Sequence, residues 1–167
     1  MEGDPNRDPL TGCYNRLYAF DNLVRLLSQA DEQSSELAIG MIDIYNFKRI
    51  NDRLGHAFGD DVLWEITRVL EMCFSRRNIL SRFGGDEFLV IFNGAPHTHV
   101  HTLAERARSE VKRLPHSGEQ KLEKPLTVTI GLAFYPEHGQ TPEELIIAAE
   151  RALLEGRKMG GDHVISA

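Results

Sequence analysis

Apolar residues recur at helical spacing in several stretches of the chain. Residues 15–29, 59–74 and 100–114 each carry an apolar stripe with a period near 3.6, which is typical of an amphipathic helix packed on a core. A further helix is predicted after Thr141, because Thr141 and Pro142 are typical of a helix N-terminus and Glu144 occupies the capping-box position. The pattern therefore predicts four long helices, with a short one before residue 59.

Five shorter segments have the length and composition of β-strands: 37–44, 79–83, 87–92, 126–134 and 163–166. The first is an apolar run interrupted only by Asp43, which indicates burial on both faces. The second and third are joined across Gly84 and Gly85 and are predicted to form a hairpin. The fourth alternates strictly, which predicts a strand with one face in the core. The order of elements favours an α+β fold, in which helices cover one sheet with much antiparallel pairing.

The composition excludes several classes of protein. Among 167 residues, 19 Lys and Arg stand against 25 Asp and Glu, and this net charge of −6 argues against binding to a nucleic-acid polymer. No run approaches the roughly 18 apolar residues that a membrane segment needs, and the N-terminus lacks a signal-peptide pattern. Two widely separated cysteines indicate neither a disulfide framework nor a zinc ribbon. We expect a cytoplasmic protein, with a flexible lead-in over residues 1–8 and one domain over residues 9–167.

Asp43 is the first candidate for chemistry. It lies near the end of an apolar strand, where a carboxylate costs free energy unless it is paired or bound to a cation. Two interpretations are open: a helix cap or salt bridge at the strand end, or a metal ligand.

The predicted hairpin tip, Gly84-Gly85-Asp86-Glu87, is the second candidate. The glycines permit positive φ and leave the backbone bare, so that a bulky ligand can approach, although Gly-Gly is also an ordinary tight turn. If Asp43 and Asp86 end adjacent strands, they form a pair of hard oxygen ligands. Mg²⁺ favours one or two carboxylates with water and substrate phosphate, and such ions activate a hydroxyl and stabilise leaving pyrophosphate.

The polar stretch 51–60 is the third candidate. An amide such as that of Asn51 together with a carboxylate matches the edge of guanine, because the carboxylate accepts from N1–H and the exocyclic amine. In the alternative interpretation, Asp60 and Asp61 only occupy the first turn of the following helix, where the helix dipole favours acids.

Four linked motifs occur in order along the chain. They are Asp8-Pro9-Leu10-Thr11-Gly12 with Asn15-Arg16, Asp43-Ile44, Phe47-Lys48-Arg49-Ile50-Asn51-Asp52 with Gly55-His56 and Gly59-Asp60, and Arg82-Phe83-Gly84-Gly85-Asp86-Glu87-Phe88. In type and spacing they resemble the GGDEF domain of diguanylate cyclases. The resemblance implies a palm-like α+β fold with a central, mainly antiparallel sheet. It also implies the condensation of two GTP into cyclic di-GMP, with release of two pyrophosphates, by the C-terminal output module of a longer sensory protein.

The resemblance implies roles for individual residues. Asp43, Asp86 and the Ile44 carbonyl match the metal ligands, for Mg²⁺ or Mn²⁺. Glu87, which is assigned to catalysis together with Asp86, matches an acid that assists deprotonation of the attacking 3′-OH or binds a second metal. The residues assigned to substrate are Phe47, Lys48, Asn51, His56, Asp60, Gly84, Gly85 and Arg157. Each domain would hold one GTP, so catalysis needs a second copy of the domain face to face with the first.

The chain departs from the family pattern beside Asp43 and, near its C-terminus, on the phosphate side of the site. Tyr45 stands where the family often has a second acid, and Arg157 stands where it has a lysine that holds the triphosphate. Gly161 and Asp162 stand where the family has Arg-Asn. The loss of one charge-assisted phosphate contact costs about 1.5–3 kcal/mol. We therefore expect weaker GTP binding or slow turnover.

Two further residues bear on regulation. Ser75 and Asn78 occupy the positions of the family's Arg-x-x-Asp product-inhibition site, so we expect no feedback inhibition through that site. Because Gly161 and Asp162 also depart from the pattern, a second function is open. In that alternative the chain is a degenerate GGDEF domain that binds GTP or cyclic di-GMP and regulates a partner.

Overall fold

The computed structural model describes residues 3–114, 122 and 124–167. The elements are β1 (Tyr14–Asn15), α1 (Arg16–Gln33), β2 (Leu37–Ile44), α2 (Phe47–Leu54), α3 (His56–Cys73), β3 (Ile79–Arg82), β4 (Glu87–Asn93), α4 (His97–Lys112), β5 (Val128–Tyr135), α5 (Pro142–Lys158) and β6 (Val164–Ser166). Within these ranges no helix has both the length and the apolar character that a membrane span requires.

The strands form one sheet in the order β1-β3-β4-β2-β5-β6. The three inner pairings, β3 with β4, β4 with β2 and β2 with β5, are antiparallel, whereas the outer strands β1 and β6 pair in parallel. The prediction of an α+β fold with a mainly antiparallel sheet is therefore confirmed. The hairpin of β3 and β4 lies where the sequence places it, and the two-residue strand β1 was not predicted.

Both faces of the sheet are covered. Side chains of β2 alternate between two cores: Ala38 and Ile42 pack in the core that includes α3 and α4, whereas Ile39 and Met41 pack in the core that includes α1 and α5. The prediction that the strand near 126–134 has only one buried face is wrong. In β5 every residue except Tyr135 is buried, because α4 and α5 cover opposite sides.

Helix α3 begins three residues earlier than the apolar pattern indicates, at His56 instead of residue 59. Its first turn contains no acidic residue, and Asp60 and Asp61 lie in the second turn. The interpretation that these two acids are favoured by the dipole at the first turn is therefore wrong. Gly55, with φ +89°, precedes the helix and supplies no side-chain cap, so no capping residue marks the true start.

The segment predicted as a flexible lead-in contacts the rest of the domain. Arg7 forms a β-bridge with Tyr14. The carboxylate of Asp8 accepts hydrogen bonds from the backbone N–H and the hydroxyl of Thr11, at 2.9 and 2.7 Å, and lies 3.4 Å from the Arg82 guanidinium. Residues 1 and 2 of the predicted lead-in lie outside the described residues. The domain boundary at residue 9 stays a prediction.

Candidate active site

The ends of two paired strands place three acidic residues at neighbouring backbone positions. In the β2–β4 pair Asp43 lies opposite Glu87, and the backbone N–H of Ile44 donates to the Asp86 carbonyl oxygen at 3.4 Å. Asp43 is buried, whereas Asp86 and Glu87 are half-buried. The strand ends are therefore adjacent, as the pairing assumed for Asp43 and Asp86 requires. The roles of these acids stay predictions.

Two glycines place the end of α5 beside Asp43. A Cβ on Gly131 of β5 would lie 2.2 Å from the Ala149 carbonyl oxygen, so the helix backbone rests directly on the strand. A Cβ on Gly156 would lie 2.5 Å from the methyl carbon of Thr129, which is the β5 residue opposite Asp43. Side chains at either position would lift the helix from the sheet. The close approach brings the last turn of α5 to the acidic strand ends.

Arg157, in that last turn, forms an ion pair with Asp43. Its Nε donates to Oδ2 of Asp43 at 2.7 Å, and its Nη2 lies 2.6 Å from the same oxygen in the ion pair. Of the two interpretations open for Asp43, the salt bridge is thus present in the structure. Arg157 was predicted as a triphosphate contact, and here it binds a carboxylate that was predicted as a metal ligand. The two residues are separated by 114 positions, so no local sequence pattern could have paired them.

The acids of this cluster are harder to ionise than ordinary carboxyl groups. Burial raises the pKa of Asp43 from its ordinary value of 3.8 to about 6, although the hydrogen bond and charge of Arg157 act in the opposite direction. The neighbouring charges of Asp86 and Glu87 raise it further. Burial likewise raises the pKa of Glu87, with Arg157 again opposing. Both groups therefore titrate closer to neutral pH than they would in water.

The cluster fits a divalent cation. Oδ1 of Asp43 is buried and has no hydrogen-bond partner among the described residues, and an orphaned buried oxygen of this kind is normally satisfied by water or an ion. No group of three or more His, Cys, Asp or Glu side chains converges to hold a metal within the described ranges. Mg²⁺ is commonly bound through one or two carboxylates plus waters and substrate phosphates. Asp43 and Asp86 would thus supply part of its ligands.

The backbone of the hairpin tip is open to a ligand, and a side chain of β3 holds the turn in place. Neither Gly84 nor Gly85 uses the positive φ that the sequence permits, and a Cβ on Gly85 would meet nothing within 4 Å. Arg82 holds the turn: its Nε and Nη2 donate to the Gly85 carbonyl oxygen at 3.1 and 2.7 Å, while Nη1 reaches Asp8. Sequence reasoning assigned no role to Arg82, although Arg82 is the first residue of the fourth motif.

The residues predicted to bind guanine meet where α2 approaches α3. A Cβ on Gly59 would lie 1.8 Å from Oδ1 of Asn51 and 3.3 Å from the Phe47 ring, so both side chains pack across this glycine. Asp60, the next residue, is exposed beside them. The structure therefore packs Asn51 against the residue that directly precedes Asp60.

The structure gives less support to three other residues that were predicted to bind substrate. Phe47 is 8% exposed and belongs to the core that includes α3 and α4. His56 is exposed in the first turn of α3. Lys48 is exposed on α2 and makes no hydrogen bond or ion pair with any described residue, so the structure does not join it to the site.

The turn after α5 has an unusual backbone. Gly160, Gly161 and Asp162 have φ values of 97°, 74° and 58°, all in the left-handed region. The Asp162 carboxylate accepts hydrogen bonds from Arg108 at 2.7 Å and from Lys112 at 2.6 Å. Burial raises the pKa of Asp162, but these two cations outweigh it and lower the pKa overall. Asp162 thus anchors the turn to α4.

Two departures from the family pattern contact each other. A Cβ on Gly161 would lie 2.7 Å from the ring of Tyr45, so the ring occupies the space where a side chain at position 161 would begin. Tyr45 directly follows β2, and its backbone N–H donates to the Thr127 carbonyl oxygen at 3.0 Å. Sequence reasoning identified both departures separately and missed their contact. The Tyr45 ring and the absence of a side chain at Gly161 are therefore structurally coupled.

The fold and the site together define an α+β domain with carboxylates gathered at a glycine-rich hairpin tip. Residues 5–163 match the family model "Diguanylate cyclase, GGDEF domain". The chain belongs to the GGDEF family.

Proteins similar in sequence and one similar solved structure are named for different activities. The probable diguanylate cyclase DgcT of Escherichia coli (strain K12) is 32% identical over 161 residues, 96% of this chain and 35% of its own length. The cyclic di-GMP phosphodiesterase PdeR of the same organism is 30% identical over 93% of this chain and 23% of its own length. The crystal structure of the GGDEF domain of DgcB from Caulobacter crescentus, in complex with c-di-GMP, superposes with a TM-score of 0.91 at 28% identity, covering 99% of this chain and 95% of that one. The chain thus spans about a third or less of these two curated relatives.

Proposed function

We propose that the domain is a diguanylate cyclase, which condenses two GTP into cyclic di-GMP and releases two pyrophosphates. One observation carries the proposal: the β2–β4 pairing sets Asp43, Asp86 and Glu87 together beside the open glycine tip. The family match over residues 5–163 and the relative named as a probable diguanylate cyclase support it.

The substrate would be held at both of its ends. Asn51 and Asp60 would offer an amide and a carboxylate to the guanine edge. Phe47 packs against the Gly59 position beside Asn51, and His56 begins the helix that carries Asp60. This donor and acceptor set favours guanine, because a carboxylate accepts from N1–H and the exocyclic amine.

The triphosphate would lie between the hairpin tip and the last turn of α5. Gly84 and Gly85 let phosphate oxygens approach the backbone, and Arg157 contributes a guanidinium. Lys48 was assigned to substrate by resemblance, and its exposed position gives that assignment no structural support.

Asp43, Asp86 and the Ile44 carbonyl would hold Mg²⁺, with Mn²⁺ as an alternative. A bound divalent cation supplies charge stabilisation for the attacking oxygen and the leaving pyrophosphate. Glu87 is the proton acceptor in this proposal. Its raised pKa brings its basicity closer to what proton abstraction near neutral pH requires.

The reaction needs two domains. Each 3′-oxygen forms a bond to the α-phosphorus of the other GTP, the bond to pyrophosphate breaks, and the hydroxyl proton passes to the base. Two such steps close the ring, so two copies must face each other. We place the domain in the cytoplasm, where GTP is available, as the output module of a longer sensory protein. The greater length of the relatives supports that last point.

The Asp86→Ala variant tests the proposal. Purified domain at high concentration is incubated with GTP and Mg²⁺, and products are identified by mass. We expect cyclic di-GMP from the natural sequence and none above background from Asp86→Ala, with an unchanged circular dichroism spectrum. Equal product from both proteins would refute the assignment of Asp86.

A second function is favoured by a specific observation. Asp43 is already paired with Arg157, and Asp162 with Arg108 and Lys112, so the phosphate side of the site is satisfied within the chain. A relative of similar identity is named a cyclic di-GMP phosphodiesterase rather than a cyclase. In this alternative the domain binds GTP or cyclic di-GMP and regulates a partner. Calorimetric binding of GTP without product would select it.

A further inference from the structure

The Arg157–Asp43 ion pair has an asymmetric geometry. The hydrogen bond from Nε and the close contact of Nη2 both involve the same oxygen, Oδ2, and Oδ1 stays buried without a partner in the described part of the chain. The Asp43 side chain is only 6% exposed, whereas that of Arg157 is 44% exposed. Arg157 therefore neutralises a buried carboxylate from a position that solvent, or an anion, can reach.

The guanidinium also has donors to spare. Nη1 makes no hydrogen bond or ion pair with a described residue, while Nε and Nη2 are engaged with Asp43. Arginine has five N–H donors in a planar fork, so a phosphate oxygen could bind the outer edge of the group. The same residue thus lies between the predicted metal ligand and the predicted triphosphate position.

We propose that Arg157 couples the two ligands of the site: its pairing with Asp43 weakens binding of a divalent cation while no nucleotide is present, and a bound triphosphate removes this effect by neutralising the guanidinium. This inference rests on the proposed function. The physical basis is charge: a cation beside Oδ1 is repelled by the nearby guanidinium and competes with it for the carboxylate. Linkage requires the effect to be reciprocal, so the cation also strengthens nucleotide binding through Arg157.

The close packing of α5 on β5 holds the backbone of Arg157 near Asp43. Gly131 and Gly156 set the helix directly on β5, and this contact holds the last turn over Asp43. Lys158, the next residue, is 64% exposed and pairs instead with Glu155 at 3.4 Å. It carries the same charge at the same helix end and makes no contact with Asp43, so it serves as the matched control.

Metal affinity of the nucleotide-free protein is the first measurement. Binding of Mn²⁺ is followed by electron paramagnetic resonance for the natural sequence, Arg157→Gln, Arg157→Lys and Lys158→Gln. We expect Arg157→Gln to bind Mn²⁺ roughly 5–150-fold more tightly, the usual range of a coupling free energy. Arg157→Lys keeps the charge and is expected to stay close to the natural sequence, as is Lys158→Gln. Unchanged or weaker Mn²⁺ binding in Arg157→Gln would overturn the inference.

Nucleotide affinity is the second measurement. Calorimetry with α,β-methylene-GTP, which cannot lose pyrophosphate, gives the factor by which Mn²⁺ strengthens nucleotide binding. We expect a smaller factor in Arg157→Gln than in the natural sequence, and an equal factor would contradict the coupling. Asp43→Asn separates the two levels of the argument. If this variant binds Mn²⁺ as well as the natural sequence does, the proposed metal site itself is wrong. If it binds more weakly while Arg157→Gln equals the natural sequence, only the coupling fails.

Discussion

The acidic side of the candidate site rests on two paired strands, whereas the phosphate side rests on a helix end and a turn. On the acidic side, strand register places Asp43 opposite Glu87, and residues 84–88 carry the complete Gly-Gly-Asp-Glu-Phe motif. On the phosphate side, Gly161 and Asp162 depart from the family, and Tyr45 fills the space beside Gly161. A strand end is fixed by its ladder of backbone hydrogen bonds. A turn is fixed by a few side chains, so its chemistry can change at smaller structural cost.

Arg157 is the point at which the two sides meet. It belongs to the phosphate side by resemblance, yet in the structure it binds Asp43 of the acidic side. The two sides therefore differ in how they are built. The cation that the resemblance assigns to the triphosphate contacts an acid here, and Gly161 stands where the resemblance implies a second cation.

The largest expected effect comes from lifting α5 off the sheet. Gly131→Ala places a methyl group 2.2 Å from the Ala149 carbonyl oxygen, so the helix must shift, and we expect a loss of about 3 kcal/mol in the free energy of unfolding. Gly85→Ala is the matched control, because a Cβ there meets nothing within 4 Å, and it is expected to change stability by less than about 0.5 kcal/mol. Urea denaturation measures both. Equal stability of the two variants would show that α5 does not need the close contact.

A smaller effect is expected from restoring an arginine to the turn. Gly161→Arg forces a long side chain into φ +74° and against the Tyr45 ring, at a cost of about 1–2 kcal/mol. Tyr45→Ala removes the ring, so the double variant should be more stable than the sum of the single changes predicts. A double-mutant cycle by urea denaturation measures this coupling. Strict additivity would mean that Tyr45 and Gly161 do not form one unit.

The pH dependence of stability tests the burial of Asp43. Its pKa of about 6 lies above the ordinary 3.8, so between about pH 4 and 6 the folded state binds more protons than the unfolded state. The free energy of unfolding therefore falls as the pH rises through this window, and Glu87 contributes in the same direction. Asp43→Asn removes part of this fall, on the order of 1 kcal/mol. If the free energy of unfolding falls with pH at the same slope for both proteins in metal-free buffer, the raised pKa of Asp43 is contradicted.

The smallest expected effect is that of added cyclic di-GMP, which should not change the rate of the reaction. Ser75 and Asn78 stand at the positions of the Arg-x-x-Asp pattern, and Asn78 is engaged with the Asn93 backbone N–H at 3.2 Å. Added cyclic di-GMP should therefore leave the initial rate unchanged at concentrations well above that of the protein. Inhibition that persists in a Ser75→Ala and Asn78→Ala double variant would show a product site elsewhere.

The acidic side was largely predictable, because alternation and hairpin signals are local. Short windows of sequence show the apolar run that contains Asp43 and the two glycines that precede Asp86. The start of α3 was missed because Gly55 offers no capping side chain. The phosphate side could not be predicted in the same way. The Arg157–Asp43 pair and the Tyr45–Gly161 contact join distant parts of the chain, and only the packing of α5 on β5 brings them together.

The rate of cyclic di-GMP formation as a function of protein concentration tests the central claim most directly. At saturating GTP and Mg²⁺, the rate per domain should rise with protein concentration until most domains are paired as dimers. It should then level off. That result would show a cyclase whose altered phosphate side still supports turnover. No product at any concentration, or a rate per domain that is independent of concentration, would contradict the account of two facing domains.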